Sequence, residues 1–106
     1  MTDLEGDPTV TRNDEAGRYE LRLGDVLAGF TEFWIDPQGR LVFPHTEIDP
    51  AFEGRGLSKE LVSHAMTDAA ARGETVVPLC PVVSRYLKRN EVPGLSIVWP
   101  RGEQPE

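Results

Sequence analysis

Two glycines flank an arginine in Phe52-Glu53-Gly54-Arg55-Gly56-Leu57, where a strand-like segment gives way to a helical one. The first-turn amides of a helix have no internal partners and sit at the positive end of the helix dipole, so an anion is stabilised there. Glycines let a bulky pyrophosphate approach the backbone. Ser58 adds a hydroxyl, and Arg55 and Lys59 add positive charge. This is not the dinucleotide fingerprint, because the third glycine and the acidic residue about 20 positions on are missing. Nor is it a P-loop, which needs Gly-Lys-Ser/Thr. A Gly-x-Gly pair before a helix is common, so the anion reading rests on what surrounds it.

The elements that must position this turn follow from the hydrophobic period. Thr9 to Arg12 alternates weakly, as an edge strand does, and Asn13 to Gly17 is turn chemistry. Arg18 to Leu23 places Tyr19, Leu21 and Leu23 on one face of a half-buried strand. Gly24-Asp25 turns the chain into Val26 to Ile35, a strand rich in β-branched and aromatic residues. Arg40 to Ile48 is a fourth strand, with Pro44 marking an edge, a bulge or a splay point. The period then becomes helical: Leu57, Leu61, Val62, Ala65, Met66, Ala69 and Ala70 predict a helix through Arg72, capped by Gly73. Thr75 to Leu79 reads as a buried strand, Val82 to Arg89 as a short helix, and Leu95 to Trp99 as a last strand stopped by Pro100. The order β-β-β-β-α-β-α-β predicts an antiparallel meander followed by a right-handed βαβ crossover, hence a mixed sheet in an α/β (α+β) fold.

At 106 residues the chain suits one domain, expected over 8–100, with tails at 1–7 and 101–106. Eleven Lys and Arg against 18 Asp and Glu give a net charge of −7, which argues against nucleic-acid binding. A small anion is still admissible, since local dipoles can outweigh the global field. The single cysteine, Cys80, cannot form an internal disulfide. Neither a signal peptide nor an apolar run of about 18 residues is present, so a cytoplasmic, soluble protein is expected, with no membrane partner.

His45-Thr46-Glu47-Ile48, Pro50 to Leu57, Val77-Pro78-Leu79-Cys80 and Tyr86-Leu87 together resemble the small YjdJ-type branch of the GNAT N-acetyltransferase superfamily. The similarity runs from about residue 9 to residue 99, and the Pro-Leu-Cys stretch makes it more specific than the glycines do. It implies a minimal GNAT fold, a mixed, mostly antiparallel sheet of about six strands with two helices. It also implies acetyl-CoA as cosubstrate, with no metal. The superfamily's Gln/Arg-x-x-Gly-x-Gly/Ala loop matches here at Gly54 and Gly56, with Ala51 in place of the usual Gln or Arg. The cofactor contacts implied are Thr46 and Ile48 on the strand, Gly54, Arg55, Gly56, Leu57, Ser58 and Lys59 at the loop, and Arg89.

The same resemblance distributes catalytic roles. Pantetheine pairs like an extra strand with Thr46 to Asp49, and the acetyl carbonyl sits near a backbone amide there. Direct transfer needs a deprotonated amine, a donor for the oxyanion and an acid for the thiolate. Glu47 is placed to take the amine proton, directly or through water, and His45 shares its strand face at two-residue spacing. Both residue types are also common as plain surface groups. Tyr86 falls where many GNAT enzymes hold the tyrosine that protonates the thiolate, or it packs the core. Arg85, Lys88 and Arg89 form a basic patch that either meets the adenosine phosphates or is simply solvated, while His64 reads as surface or structural. Cys80 ends the strand where neighbouring strands splay in this fold, close to the acetyl group. It is either buried filler or a thiol capable of acyl exchange.

Full GNAT enzymes insert two helices between their first two strands, and here only Asn13 to Gly17 stands in that place. The acceptor side is therefore expected to be open, suiting an amine on a protein or peptide, with a monomer or weak oligomer. The readings to separate are an acetyltransferase, a non-catalytic acyl-CoA-binding or sensing module, and a structural domain that kept only the fold.

Overall fold

The computed structural model describes residues 7–100, so the tail assignments at 1–6 and 101–106 lie outside the described residues. Six strands form one sheet in the order β1-β2-β3-β4-β5-β6: β1 Thr9–Asn13, β2 Arg18–Leu23, β3 Val26–Ile35, β4 Leu41–Ile48, β5 Thr75–Pro78 and β6 Ser96–Ile97. Helix α1 spans Leu57–Ala71 and α2 spans Pro81–Arg89, with a short 3-10 turn at Pro50–Phe52. The first four strands pair antiparallel, as the short turns between them require. Two parallel pairings follow, β4 with β5 across α1 and β5 with β6 across α2, one more than the single crossover expected from the sequence.

Both helices and one face of the sheet enclose a single core. Tyr19 and Leu21 from β2, Phe33 from β3, Phe43 from β4 and Val76 from β5 meet Leu61, Val62, Ala65 and Met66 of α1 and Val83 and Leu87 of α2. Tyr19, Phe33 and Phe43 form a ring cluster with centroids 5.7–6.3 Å apart, a spacing that favours tilted and offset aromatic contacts. Element ends differ from the sequence expectation for local reasons. Helix α2 begins at Pro81, whose missing N–H costs nothing in a first turn. Strand β5 stops at Pro78 because the amides of Leu79 and Cys80 both turn to Phe43 O, at 3.1 and 2.8 Å. Strand β6 is only two residues long, since Leu95 N closes a turn onto Val92 O.

A bulge in β4 decides how the strand presents its side chains. Glu32 pairs with His45, but Trp34 pairs with Val42, so Phe33 alone opposes Phe43 and Pro44. The extra residue reverses the alternation downstream. Leu41 and Phe43 face the core, and beyond the bulge Thr46 and Ile48 do so, while His45 and Glu47 point to the opposite face. Among the described residues no helix is long and apolar enough to cross a membrane.

Candidate functional site

Strands β4 and β5 are paired only as far as Phe43 opposite Pro78. Past that point β5 leads into α2, and the Thr46–Ile48 stretch of β4 keeps β3 as its sole ladder partner. Pro44 thus marks both a bulge and a splay. The splay opens into a cavity of about 230 Å³ lined by Thr46, Ile48, Phe52, Glu53, Gly54, Gly56, Leu57, Ser58 and Val82. Ile48, in the wall of this cavity, lies close against Gly29 of β3: an added Cβ there would lie 2.4 Å from Ile48 Cδ1 and 2.8 Å from Glu47 O. Only glycine lets Ile48 settle against β3.

The loop entering α1 is built by local chemistry. Asp49 Oδ1 accepts from Ala51 N at 2.9 Å, and Phe52 N returns to Asp49 O at 2.8 Å, forming the 3-10 turn. Buried Phe52 anchors the loop to the core, and the Arg55 guanidinium lies over its ring at 5.6 Å. Gly54 and Gly56 have φ of +85° and +74°, and a Cβ at either would touch nothing within 4 Å. The need for glycine is therefore conformational, not steric. Gly56 occupies the N-cap of α1 with no side-chain cap, so the first-turn amides of Leu57, Ser58 and Lys59 have no capping side chain at the wall of the cavity.

Ser58 and Val82 also line a second cavity of about 280 Å³ between the helices, together with Lys59, Val62, Arg85, Tyr86, Arg89 and Asn90. The two cavities adjoin at Ser58 and Val82, and together they make a groove that takes in the splay, the uncapped helix end and three cations. Among the described residues no carboxylate engages Lys59, Arg85 or Arg89. Lys88 lines a different cavity, between α2 and β6, which Arg89 also borders. Tyr86 is half-buried: its ring packs against the core and also borders the groove.

Cys80, at the N-cap of α2, is buried and donates its Sγ–H to Thr46 Oγ1 at 3.4 Å. Thr46 Oγ1 lies 2.8 Å from Thr31 Oγ1, its register partner on β3. Thr31, fully buried, escaped the sequence reading; a hydroxyl two residues before Phe33, on the same face of the strand, was the available signal. His45 and Glu47 also meet, Nε2 to Oε1 at 3.0 Å, with their side chains 53% and 57% exposed. They stand on the other face of β4 from Thr46 and Cys80. His64 makes an exposed i,i+4 pair with Glu60 at 2.8 Å on α1, as a surface residue does.

A family model described as GCN5-related N-acetyl-transferase matches residues 18–93, well over half of the chain. The chain belongs to the GCN5-related N-acetyl-transferase family. A search of curated proteins returned no match. The matched span runs from β2 past the end of α2 and contains the whole groove, the splay and the glycine turn. Membership supports an acyl-CoA-dependent N-acetyltransferase-like function and implies acetyl-CoA as the ligand.

Proposed function

We propose that this chain is a cytoplasmic N-acetyltransferase of the small YjdJ-type branch, holding acetyl-CoA in the groove and passing its acetyl group to an amine on a protein. One observation carries the reading: adjoining cavities that share Ser58 and Val82 bring together the splayed edge of β4, the uncapped N-terminus of α1, and Lys59, Arg85 and Arg89, which no carboxylate among the described residues engages. The pyrophosphate is assigned to the amides and hydroxyl at Gly54 to Ser58, where backbone donors and the dipole favour negative charge. The arm then follows Ile48 and Thr46 inward. Glu47, facing the other side of the same strand, is assigned the amine proton, with His45 as its neighbour. The opposite sheet face has no helix among the described residues, which suits a macromolecular acceptor more than a small enclosed one. The lone, buried Cys80 suits a reducing compartment.

The test is a titration with acetyl-CoA, following backbone amide shifts. Shifts concentrated at Gly54 to Lys59 and Thr46 to Ile48 are expected. No shift there at millimolar ligand removes this function. Free-thiol release with a peptide amine library then separates transferase from sensor: a rate equal to buffer hydrolysis with every acceptor means a binding module.

A further inference from the structure

We propose that the side-chain hydroxyl of Thr46 is a hydrogen-bond donor to the thioester carbonyl oxygen during transfer. The inference rests on the acetyl-CoA reading above and comes from counting protons at the inner end of the groove. Thr31 and Cys80 both meet the hydroxyl of Thr46, Thr31 Oγ1 at 2.8 Å and Cys80 Sγ–H at 3.4 Å. Thr31 is fully buried, and Thr46 is the only partner its hydroxyl has among the described residues. Were Thr46 the donor to Thr31, the Thr31 hydrogen would be left without an acceptor in the core. An orphaned buried donor costs about 1–3 kcal/mol. Thr31 is therefore the donor and Thr46 the acceptor.

A hydroxyl oxygen has two lone pairs and one hydrogen. Thr31 and Cys80 occupy both lone pairs of Thr46 Oγ1, leaving its hydrogen unspent. Thr46 is half-buried, and its open side is the cavity it lines with Ile48 and Gly56. A hydroxyl held this way can donate into the cavity but cannot accept from it, so it selects an acceptor-only group. The carbonyl oxygen of an acyl thioester is such a group. Thr46 is also the first core-facing residue of β4 beyond the last β4–β5 pair, the depth at which an arm lying along Ile48 ends.

The step is balanced. The amine nitrogen forms a bond to the carbonyl carbon, and the carbonyl pair moves onto oxygen, where the Thr46 hydrogen stabilises it. Return of that pair expels the coenzyme thiolate as the C–S bond breaks. Nitrogen loses one proton to Glu47, and the thiolate takes one from water. A donor fixed before the reaction begins needs no reorganisation as the charge develops, and Thr31 and Cys80 do the fixing.

The test uses the full chain and carbonyl-labelled carbon-13 acetyl-CoA in wild type, Thr46→Val, Thr46→Ala and Thr46→Ser, with Kd from calorimetry. The infrared band of the bound carbonyl is expected at lower frequency in wild type and Thr46→Ser than in Thr46→Val or Thr46→Ala, each read at a concentration of acetyl-CoA that saturates that variant by its own Kd. Thiol release with hydroxylamine as the amine should fall roughly 100-fold in the valine variant, the scale seen on removal of one oxyanion donor, and recover in serine. An unchanged band in both hydroxyl-free variants with ligand bound overturns the proposal and leaves the acetyl-CoA reading standing. Absence of binding to wild type overturns both.

Discussion

Two concave regions border α1, and their charges are disposed in opposite ways. Between α1 and strands β1 and β2 lies a cavity of about 440 Å³, lined by Arg12, Tyr19, His64, Asp68 and Arg72 among others. Every charge there is answered. Arg12, its side chain 6% exposed, reaches Glu74 at 2.7 Å and Asp14 at 2.8 Å. Tyr19 donates to Asp68 at 2.7 Å, Arg72 pairs with Asp68, and His64 pairs with Glu60. The groove on the other side of α1 consists of two cavities that are each smaller, yet among the described residues no carboxylate engages its cations and no side chain caps its helix end. Volume is thus a poor guide to the site. Charge left uncompensated beside free backbone donors is what a bound anion would satisfy, while a closed network only holds elements together.

The paired region shows how firmly its groups are held. Burial works against the Arg12 charge, but the hydrogen bonds it donates to Glu74, Asp14 and Tyr19 more than offset it and keep the guanidinium charged. Burial and the bond to Asp68 both raise the Tyr19 hydroxyl above the usual tyrosine range. This clasp ties edge strand β1 to α1 and to the start of β5, where backbone pairing alone is one-sided.

The contrast can be broken in three ways, starting with the largest effect. Arg12→Ala removes the buried side chain that donates to Glu74, Asp14 and the Tyr19 hydroxyl, and leaves the partly buried Glu74 without its counter-charge, so unfolding free energy should drop by about 2–3 kcal/mol. Urea denaturation measures it, and the folded fraction should bind acetyl-CoA as wild type does. Loss of affinity without loss of stability would exchange the roles of the two regions. Ser58→Glu should act in the reverse sense. A carboxylate in a first helical turn favours the helix, yet here it faces the assigned phosphates. Thermal stability should hold, while acetyl-CoA affinity falls on the order of 30-fold, about 2 kcal/mol, from repulsion near the surface. Equal affinity would remove the phosphates from this helix end. Gly56→Glu is a poorer probe, because its positive φ strains any side chain before charge matters.

The smallest effect concerns Glu20, buried on the helix-free face, where Arg18, Arg22 and Asn13 all donate to it. The Arg18 hydrogen bond, opposed by burial and helped by Arg22 and Asn13, holds its carboxyl below the usual glutamate range. The folded state therefore binds its proton less readily than the unfolded state. The stability it contributes is complete above the unfolded glutamate pKa, about 4.3, and is lost as pH falls through the lower folded value. Unfolding free energy followed from pH 7 into the acid range should decline less steeply in Glu20→Gln. Identical slopes would show that Glu20 adds nothing to the paired side.

Much of the fold was legible. Alternation in Arg18 to Leu23, the helical period from Leu57 and the two-residue turn at Gly24-Asp25 are local signals, and each produced its element. The glycine turn was legible for the same reason, since positive φ at Gly54 and Gly56 is a demand that neighbouring residues cannot meet. Pro44 announced an irregularity, which proved to be both bulge and splay. The spacing of His45 and Glu47 put them on one face, and they are within hydrogen-bond distance. Which face that is did not follow from spacing. Extending the inward alternation of Leu41 and Phe43 would turn both toward the core.

By itself, then, the sequence determined the order of elements, the anion-friendly turn and the kinship, because these rest on short-range backbone preference and on residue identity. Tertiary structure decided the register of β4 against β3, and with it everything at the inner end of the groove. One extra residue opposite Phe33 sends His45 and Glu47 outward and brings Thr46 inward, where it meets Thr31, 15 positions away, and Cys80, 34 positions away. No local pattern encodes those meetings. They arise when strand pairing and the packing of α2 bring distant hydroxyls and a thiol into a core that requires each polar hydrogen to find a partner.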